Sequence, residues 1–231
     1  MLEFYRLMGL NKLQPVTAIG LAFGASIFVL AFFVASQSIP LHYLLVLALF
    51  PPAIMITGLY SKNRDVIKEI SAVFMAVFYV ALPLAILNFL VFPQATNHLY
   101  THRILLGILI MVWLNDTGAY VTGITMGHHK LFPSISPKKT WEGWAGGALF
   151  TLIPAFWMHR IMGLLTVHDW IFMAVVVCVF GVFGDLTESL IKRNAGIKDS
   201  GNLIPGHGGV LDRFDSLLFV VPVILVYLQF R

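Results

Sequence analysis

Cysteine and charge are scarce in this sequence. Cys178 stands alone in 231 residues, inside an apolar run, so the chain can build neither a disulfide framework nor a cysteine metal cluster. A packing role accounts for it. Only 11% of the residues carry charge, against roughly 25% in a soluble domain. With 58% hydrophobic residues and a mean hydropathy of +0.85, a water-soluble globule is excluded. Two motifs are also missing. There is no HExxH, and His128 and His129 are adjacent rather than spaced along one helix face, which argues against a zinc hydrolase. The GxxxxGK order of a nucleotide-binding P-loop is absent too. A formal charge of +4 and a pI near 9.3 would suit nucleic acid. The basic residues are scattered between apolar runs, however, and read as membrane topology, so no nucleic-acid partner is expected.

Apolar runs bounded by charge, proline or polar clusters predict spans near 16–36, 40–60, 70–92, 103–125, 144–165, 169–187 and 214–230. The expected fold is all-α: a polytopic membrane protein with about seven transmembrane helices and a polar cleft facing the cytoplasm. Residues 1–15 are mixed in character, so no cleavable signal peptide is expected. With a cytoplasmic N-terminus, the inside segments hold 12 of the 15 basic residues. These are Arg6, Lys12, Lys62, Arg64, Lys68, Lys130, Lys138, Lys139, Lys192, Arg193, Lys198 and Arg213, leaving Arg103, Arg160 and Arg231 outside. That asymmetry sets the orientation. Tyrosines and tryptophans, Tyr79 among them, fall mostly near span ends and read as an interfacial belt.

The acids are distributed differently. Eight of the 11 follow position 115, and all of these but Asp169 map to the inferred cytoplasmic side. Carboxylates at membrane depth are costly unless paired, hydrated or metal-bound. In GVFGDLTESLIKRNAGIKDSGNLIPGHGGVLDRFD (181–215), helical spacing puts Asp185, Glu188 and Lys192 on one face. Asp212 and Asp215 repeat the three-residue spacing where the last apolar run begins. Acidic capping of a helix N-terminus explains them without function. Packed opposite Asp185, they would instead offer hard oxygen ligands for Mg²⁺. The PGHGG turn at 205–209 either brings backbone amides to an anion or is a sharp re-entry turn. His207 within it suits a phosphate contact, proton transfer or a structural hydrogen bond.

A second polar island, WLNDTGAYVTGITMGHHKLFPSISPKKTWEG (113–143), holds Asn115 and Asp116 inside an apolar run. Ser136, Lys138, Lys139 and Thr140 follow in a loop where ammonium and hydroxyl groups could receive phosphates, although the lysines also suit topology anchors. The chain thus divides at 112: N-terminal membrane helices over 1–112 and a catalytic membrane region with both polar islands over 113–231.

Together the islands resemble the phosphatidate cytidylyltransferase (CDP-diacylglycerol synthase) family. The residues that carry the resemblance are Ser189, Lys192, Arg193, Lys198, Asp199, the PGHGG turn, Asp212, Arg213 and Asp215, with NDTGAY at 115–120 and SPKKTWEG at 136–143. The resemblance is strong after 113 and weaker before it, and the family's additional N-terminal pair of membrane segments is not expected here. It implies that phosphatidic acid and CTP yield CDP-diacylglycerol and pyrophosphate, with Mg²⁺ required, in the cell inner (cytoplasmic) membrane.

The resemblance assigns metal binding to Asp185 and Asp212. Asp215 would orient water or a second cation. Lys192, Arg193, Lys198 and Arg213 would meet phosphates or the leaving group, with His207 among the catalytic groups. Asp116, Ser136, Lys138, Lys139, Thr140 and Asp199 would serve substrate binding. Two other functions fit the bare residues. A transporter would carry polar groups through to both faces; a lipid or polyprenol kinase would use the nucleotide γ-phosphate. Gly143, Gly146 and Gly147 suit close helix packing within the chain or in a homo-oligomer.

Overall fold

The computed structural model describes residues 1–10, 14–61, 65–197 and 208–231. Its secondary structure is helical apart from one short hairpin. Helices α1 (Leu2–Leu7) and α2 (Pro15–Ala35) lead into a 3-10 stretch, Leu41–Leu49, that runs on as α3 (Phe50–Leu59). Pro51 and Pro52 donate no amide hydrogen, so the carbonyls one turn earlier cannot enter an α-helical ladder, and the tighter winding precedes them. A continuous helix follows as α4 (Val66–Ala76), a π-helical turn (Val77–Ala81) and α5 (Leu82–Val91). Pro83 removes the bond that Tyr79's carbonyl would accept, and the ladder widens there.

Helix α6 (Arg103–Met126) ends at the antiparallel hairpin of β1 (Lys130–Phe132) and β2 (Ser136–Thr140), which pairs Lys130 with Thr140 and Phe132 with Ser136. The chain then continues through α7 (Trp141–Met162), α8 (Val167–Asn194) and α9 (Leu211–Phe230).

Among the described residues, five helical stretches are long and apolar enough to cross a membrane: Pro15–Ala35, Leu41–Leu59, Val66–Thr96, Arg103–Met126 and Val167–Asn194. About seven were expected. The other two expected spans are helical, at 22 and 20 residues, but are not among the five. Helix α7 opens with Glu142 and three glycines and closes with His159 and Arg160, while α9 opens with Asp212, Arg213 and Asp215.

Two apolar clusters hold the helices together. One gathers Ile104, Ile108 and Met111 of α6 around Trp170 and Met173 of α8 and Ile224 of α9. The other gathers Phe4 and Tyr5 of α1, Phe23 of α2 and Val73 of α4 against Leu211 and Leu218 of α9. Lipid is as apolar as these side chains, so close packing and hydrogen bonds drive the association. Small residues permit it: at Gly184 a Cβ would stand 2.5 Å from the Asp215 carbonyl oxygen and 3.0 Å from Ser216 Cα, so α8 and α9 approach to backbone distance there.

Helix α1 also closes the fold at one end. Glu3 accepts hydrogen bonds from the amides of Val210 (2.9 Å) and Leu211 (2.7 Å), so an acid from the start of the chain caps the last helix. At the opposite end of α9, Asp169 caps α8 and receives Tyr227 Oη at 2.9 Å together with the Arg231 guanidinium.

Candidate active site

The close approach at Gly184 brings the two acidic helix faces together. Asp185 and Glu188 lie on α8, and Asp212 and Asp215 lie on α9, each pair one turn apart. Asp215 is fixed by its contact with the Ser216 amide (2.5 Å). Asp185 interacts electrostatically with both Asp116 and Asp215, so acids from three helices share one field. Lysines neutralise it. Lys139 pairs with Asp185, and Lys192 lies 2.7 Å from Asp212 Oδ1 and 3.3 Å from Glu188 Oε2. Glu188 is fully buried and neither of its oxygens has a hydrogen-bond partner, so Lys192 is the charge that makes its burial tolerable.

The other oxygen of Asp212 accepts the Gly209 amide at 2.7 Å. Gly208 is needed beside it: φ is +80°, and a Cβ there would fall 2.7 Å from Asp212 Oδ2.

A cavity of about 520 Å³ opens alongside. Helix α6 contributes Asn115 and Asp116, the hairpin Lys138, Lys139 and Thr140, and α8 contributes Asp185. Trp144 of α7 forms part of the wall and donates from Nε1 to the Cys178 carbonyl (2.8 Å). Cys178 itself is buried, as its packing role requires. The cavity therefore joins both polar islands.

Of the residues singled out in the sequence, Asp116, Lys138, Lys139, Thr140 and Asp185 line this cavity. Asp212 and Lys192 form the adjoining ion pair, with Asp215 at the α8–α9 contact. Ser136 sits at the far end of β2, opposite Phe132. Arg193 and Arg213 are exposed at helix ends. Lys198, Asp199 and His207 lie outside the described residues, as do Lys12, Lys62 and Arg64.

Three groups were not singled out as site residues by sequence reasoning. Tyr79, read as part of the interfacial belt, lies in the π-helical turn with its hydroxyl buried and no hydrogen-bond partner; Glu188, Asp215 and Asp185 are its charged neighbours. Asn115 is buried with Oδ1 unpartnered. Glu142, two residues past Lys138–Thr140, bonds back to the start of the hairpin. Its carboxylate accepts from the amides of His128 (3.1 Å) and His129 (3.1 and 3.2 Å) and meets His129 Nδ1 at 2.5 Å. The His129 contact, followed by the backbone hydrogen bonds, pushes Glu142 down to about 2. The signal was in the SPKKTWEG segment, but no helical or strand period links positions 128 and 142.

No group of three or more His, Cys, Asp or Glu is arranged to hold a metal ion among the described residues. The donors near Asp185 and Asp212 are all carboxylates, and Glu188 and Tyr79 leave buried polar atoms without hydrogen bonds. That set fits a hard cation retaining much of its water shell, as Mg²⁺ does, and not an ion enclosed by protein ligands.

The cytidylyltransferase family model matches residues 1–231. The chain belongs to the cytidylyltransferase family. It is 43% identical over 169 residues to a phosphatidate cytidylyltransferase of Staphylococcus haemolyticus. Over 170 residues it is 42% identical to one of Staphylococcus epidermidis and 44% identical to one of Staphylococcus aureus. Each match covers 73% of this chain and 62% of the relative. The family model thus takes in both polar islands and the helices before them.

Proposed function

We propose that the chain transfers the cytidylyl group of CTP to phosphatidic acid, forming CDP-diacylglycerol and pyrophosphate. The observation that carries this reading is the cavity itself, where acids of α6 and α8 meet the hairpin lysines beside the Lys192–Asp212 pair. A phosphate oxygen of the lipid attacks the α-phosphorus of CTP, the bond to the β-phosphate oxygen breaks, and pyrophosphate leaves with that electron pair. Such a reaction calls for alignment and neutralisation of several anionic oxygens. Lys138 and Lys139 approach from the hairpin, and Lys192, Arg193 and Arg213 from α8 and α9; Lys198, outside the described residues, would meet phosphates as well. Ser136, Thr140 and Asp116 complete the substrate contacts, and Asp199 and His207, outside the described residues, would serve the substrate and the phosphates.

Asp185 and Asp212 would hold Mg²⁺, which when bound neutralises phosphate oxygens and polarises the phosphorus. Lys139 and Lys192, paired here with Asp185 and Asp212, would then be free to meet phosphates. Asp215 and the Tyr79 hydroxyl would orient water or a second cation, and Glu188 sets the position of Lys192.

In this reading α7 and α9 also cross the membrane, giving seven spans in the cell inner membrane and a cleft open to the cytoplasm. CTP then enters from water while phosphatidic acid keeps its acyl chains in lipid. The helices of 1–112 support a catalytic region at 113–231. A transporter is disfavoured because the acids of α8 and α9, Asp169 apart, gather at one end of the bundle.

Reconstitution in liposomes with CTP labelled at the α- or the γ-phosphate tests the reaction. Cytidylyl transfer puts the α-label into lipid and the γ-label into pyrophosphate. Entry of the γ-label into lipid would establish a kinase instead, and label in neither product would refute the reading.

A further inference from the structure

We propose that Glu142 is a positioning residue that fixes the β1–β2 hairpin over the cavity and so sets the phosphate-binding lysines; the inference rests on the cytidylyl-transfer reading. A hairpin of three- and five-residue strands is too short to hold its own shape in water. Its inner end is nonetheless closed by several bonds. The Glu142 carboxylate spans the amides of His128 and His129 and the His129 ring. The Trp141 amide returns a bond to the His129 carbonyl at 2.9 Å. Thr140 Oγ1 accepts the Gly143 amide at 3.1 Å, fixing β2 to the first turn of α7.

The outer end has little to fix it. The turn between the strands carries one backbone bond, Ile135 to Phe132 at 3.3 Å, and the pairing is irregular between Lys130 and Phe132. The hairpin's position therefore depends on its base.

What the base positions is chemically specific. Lys138 and Lys139 precede Thr140 directly and line the cavity, and Lys139 reaches across to Asp185. A carboxylate accepting backbone amides and a ring nitrogen makes charge-assisted bonds, stronger than neutral ones. Glu142 touches neither cavity nor substrate. Its effect passes through the lysines, and it falls on the partner they bind, the nucleotide phosphates, rather than on the lipid.

The test uses the full chain in detergent, with E142A, E142Q and E142D. Trypsin cleavage after Lys130, Lys138 or Lys139 reads the hairpin without reference to activity. In E142A cleavage is expected to rise severalfold, and KM for CTP to rise about tenfold, the scale of losing charged hydrogen bonds. Turnover at saturation and KM for phosphatidic acid stay near wild type. E142D recovers much of both effects, and E142Q recovers less. Unchanged cleavage in E142A would overturn the proposal, as would faster cleavage with an unchanged KM for CTP. Should the wild-type chain form no CDP-lipid, the reaction reading falls; the proposal then requires CTP to protect the wild-type hairpin from trypsin and to fail to protect E142A, and it falls if both behave alike.

Discussion

Replacing Lys192 by Met separates the structural work of the acidic cluster from its chemistry. The ammonium serves two carboxylates, Asp212 at 2.7 Å and Glu188 at 3.3 Å, in a site where Lys192 and Asp212 are each 13% exposed and Glu188 is fully buried. Met keeps most of the aliphatic stem and removes the charge, leaving the fully buried Glu188 without the ammonium beside it. Stranding one side of a buried ion pair costs about 3–5 kcal/mol, and residual exposure of Asp212 favours the lower end. For a chain of this size about 3 kcal/mol corresponds to a Tm lower by roughly 6–12 °C. The assay is thermal unfolding of the detergent-solubilised protein, followed by helical signal. The double variant K192M/E188Q removes the stranded charge at the deepest position and recovers more than half of the loss. Turnover stays low in both variants, because the phosphate contact is gone. A Tm for K192M within about 2 °C of wild type, equivalent to less than 1 kcal/mol, would refute the argument that Lys192 sustains the burial of Glu188.

Three further outcomes follow from individual contacts. Glu3→Ala removes the acceptor for the Val210 and Leu211 amides and should cost about 1–2 kcal/mol as a lost helix cap; hydrogen exchange at those amides should rise with it, and unchanged exchange would discount the cap. Tyr79→Phe deletes a buried hydroxyl that makes no hydrogen bond, so the thermal midpoint should hold while the Mg²⁺ concentration for half-maximal rate rises; loss of stability with unchanged Mg²⁺ dependence would make Tyr79 a packing residue. Glu142 is held down to about 2 from an ordinary 4.5, so its hold on the hairpin is fully present above about pH 4.5 and is lost as pH falls through about 2. Protection of the His128 and His129 amides from exchange should follow that course, and loss already at pH 5 would contradict it.

Much of the helical framework was legible in the chain. The runs at 16–36 and 103–125 correspond closely to α2 and α6, because uninterrupted apolar stretches of that length have few alternatives. The acidic spacing was legible too: three- and four-residue intervals put Asp185, Glu188 and Lys192 on one face, and Lys192 meets Glu188 in the structure.

What escaped were features set by backbone detail or by distance along the chain. The prolines at 51, 52 and 83 lie inside runs read as continuous spans, and the interruptions they make, 3-10 before Pro51 and Pro52 and π before Pro83, depend on which carbonyls find donors. Tyr79 read as an interfacial residue because hydropathy does not register that its hydroxyl turns toward acids on other helices. Glu3 and the α9 amides are separated by more than 200 residues, beyond the reach of any local pattern. The clearly apolar spans number five among the described residues, against the seven expected; α7 carries Glu142, three glycines, His159 and Arg160, and α9 opens with Asp212, Arg213 and Asp215.

The most direct test of the central claim replaces Asp185 and Asp212 separately with Asn and follows CDP-lipid formation from CTP and phosphatidic acid across a Mg²⁺ titration. Each variant should stay folded and lose turnover by about a hundredfold or more, the scale of removing a group that organises transition-state charge, with what remains needing more Mg²⁺. A near-normal rate with unaltered Mg²⁺ dependence in either variant would contradict the account.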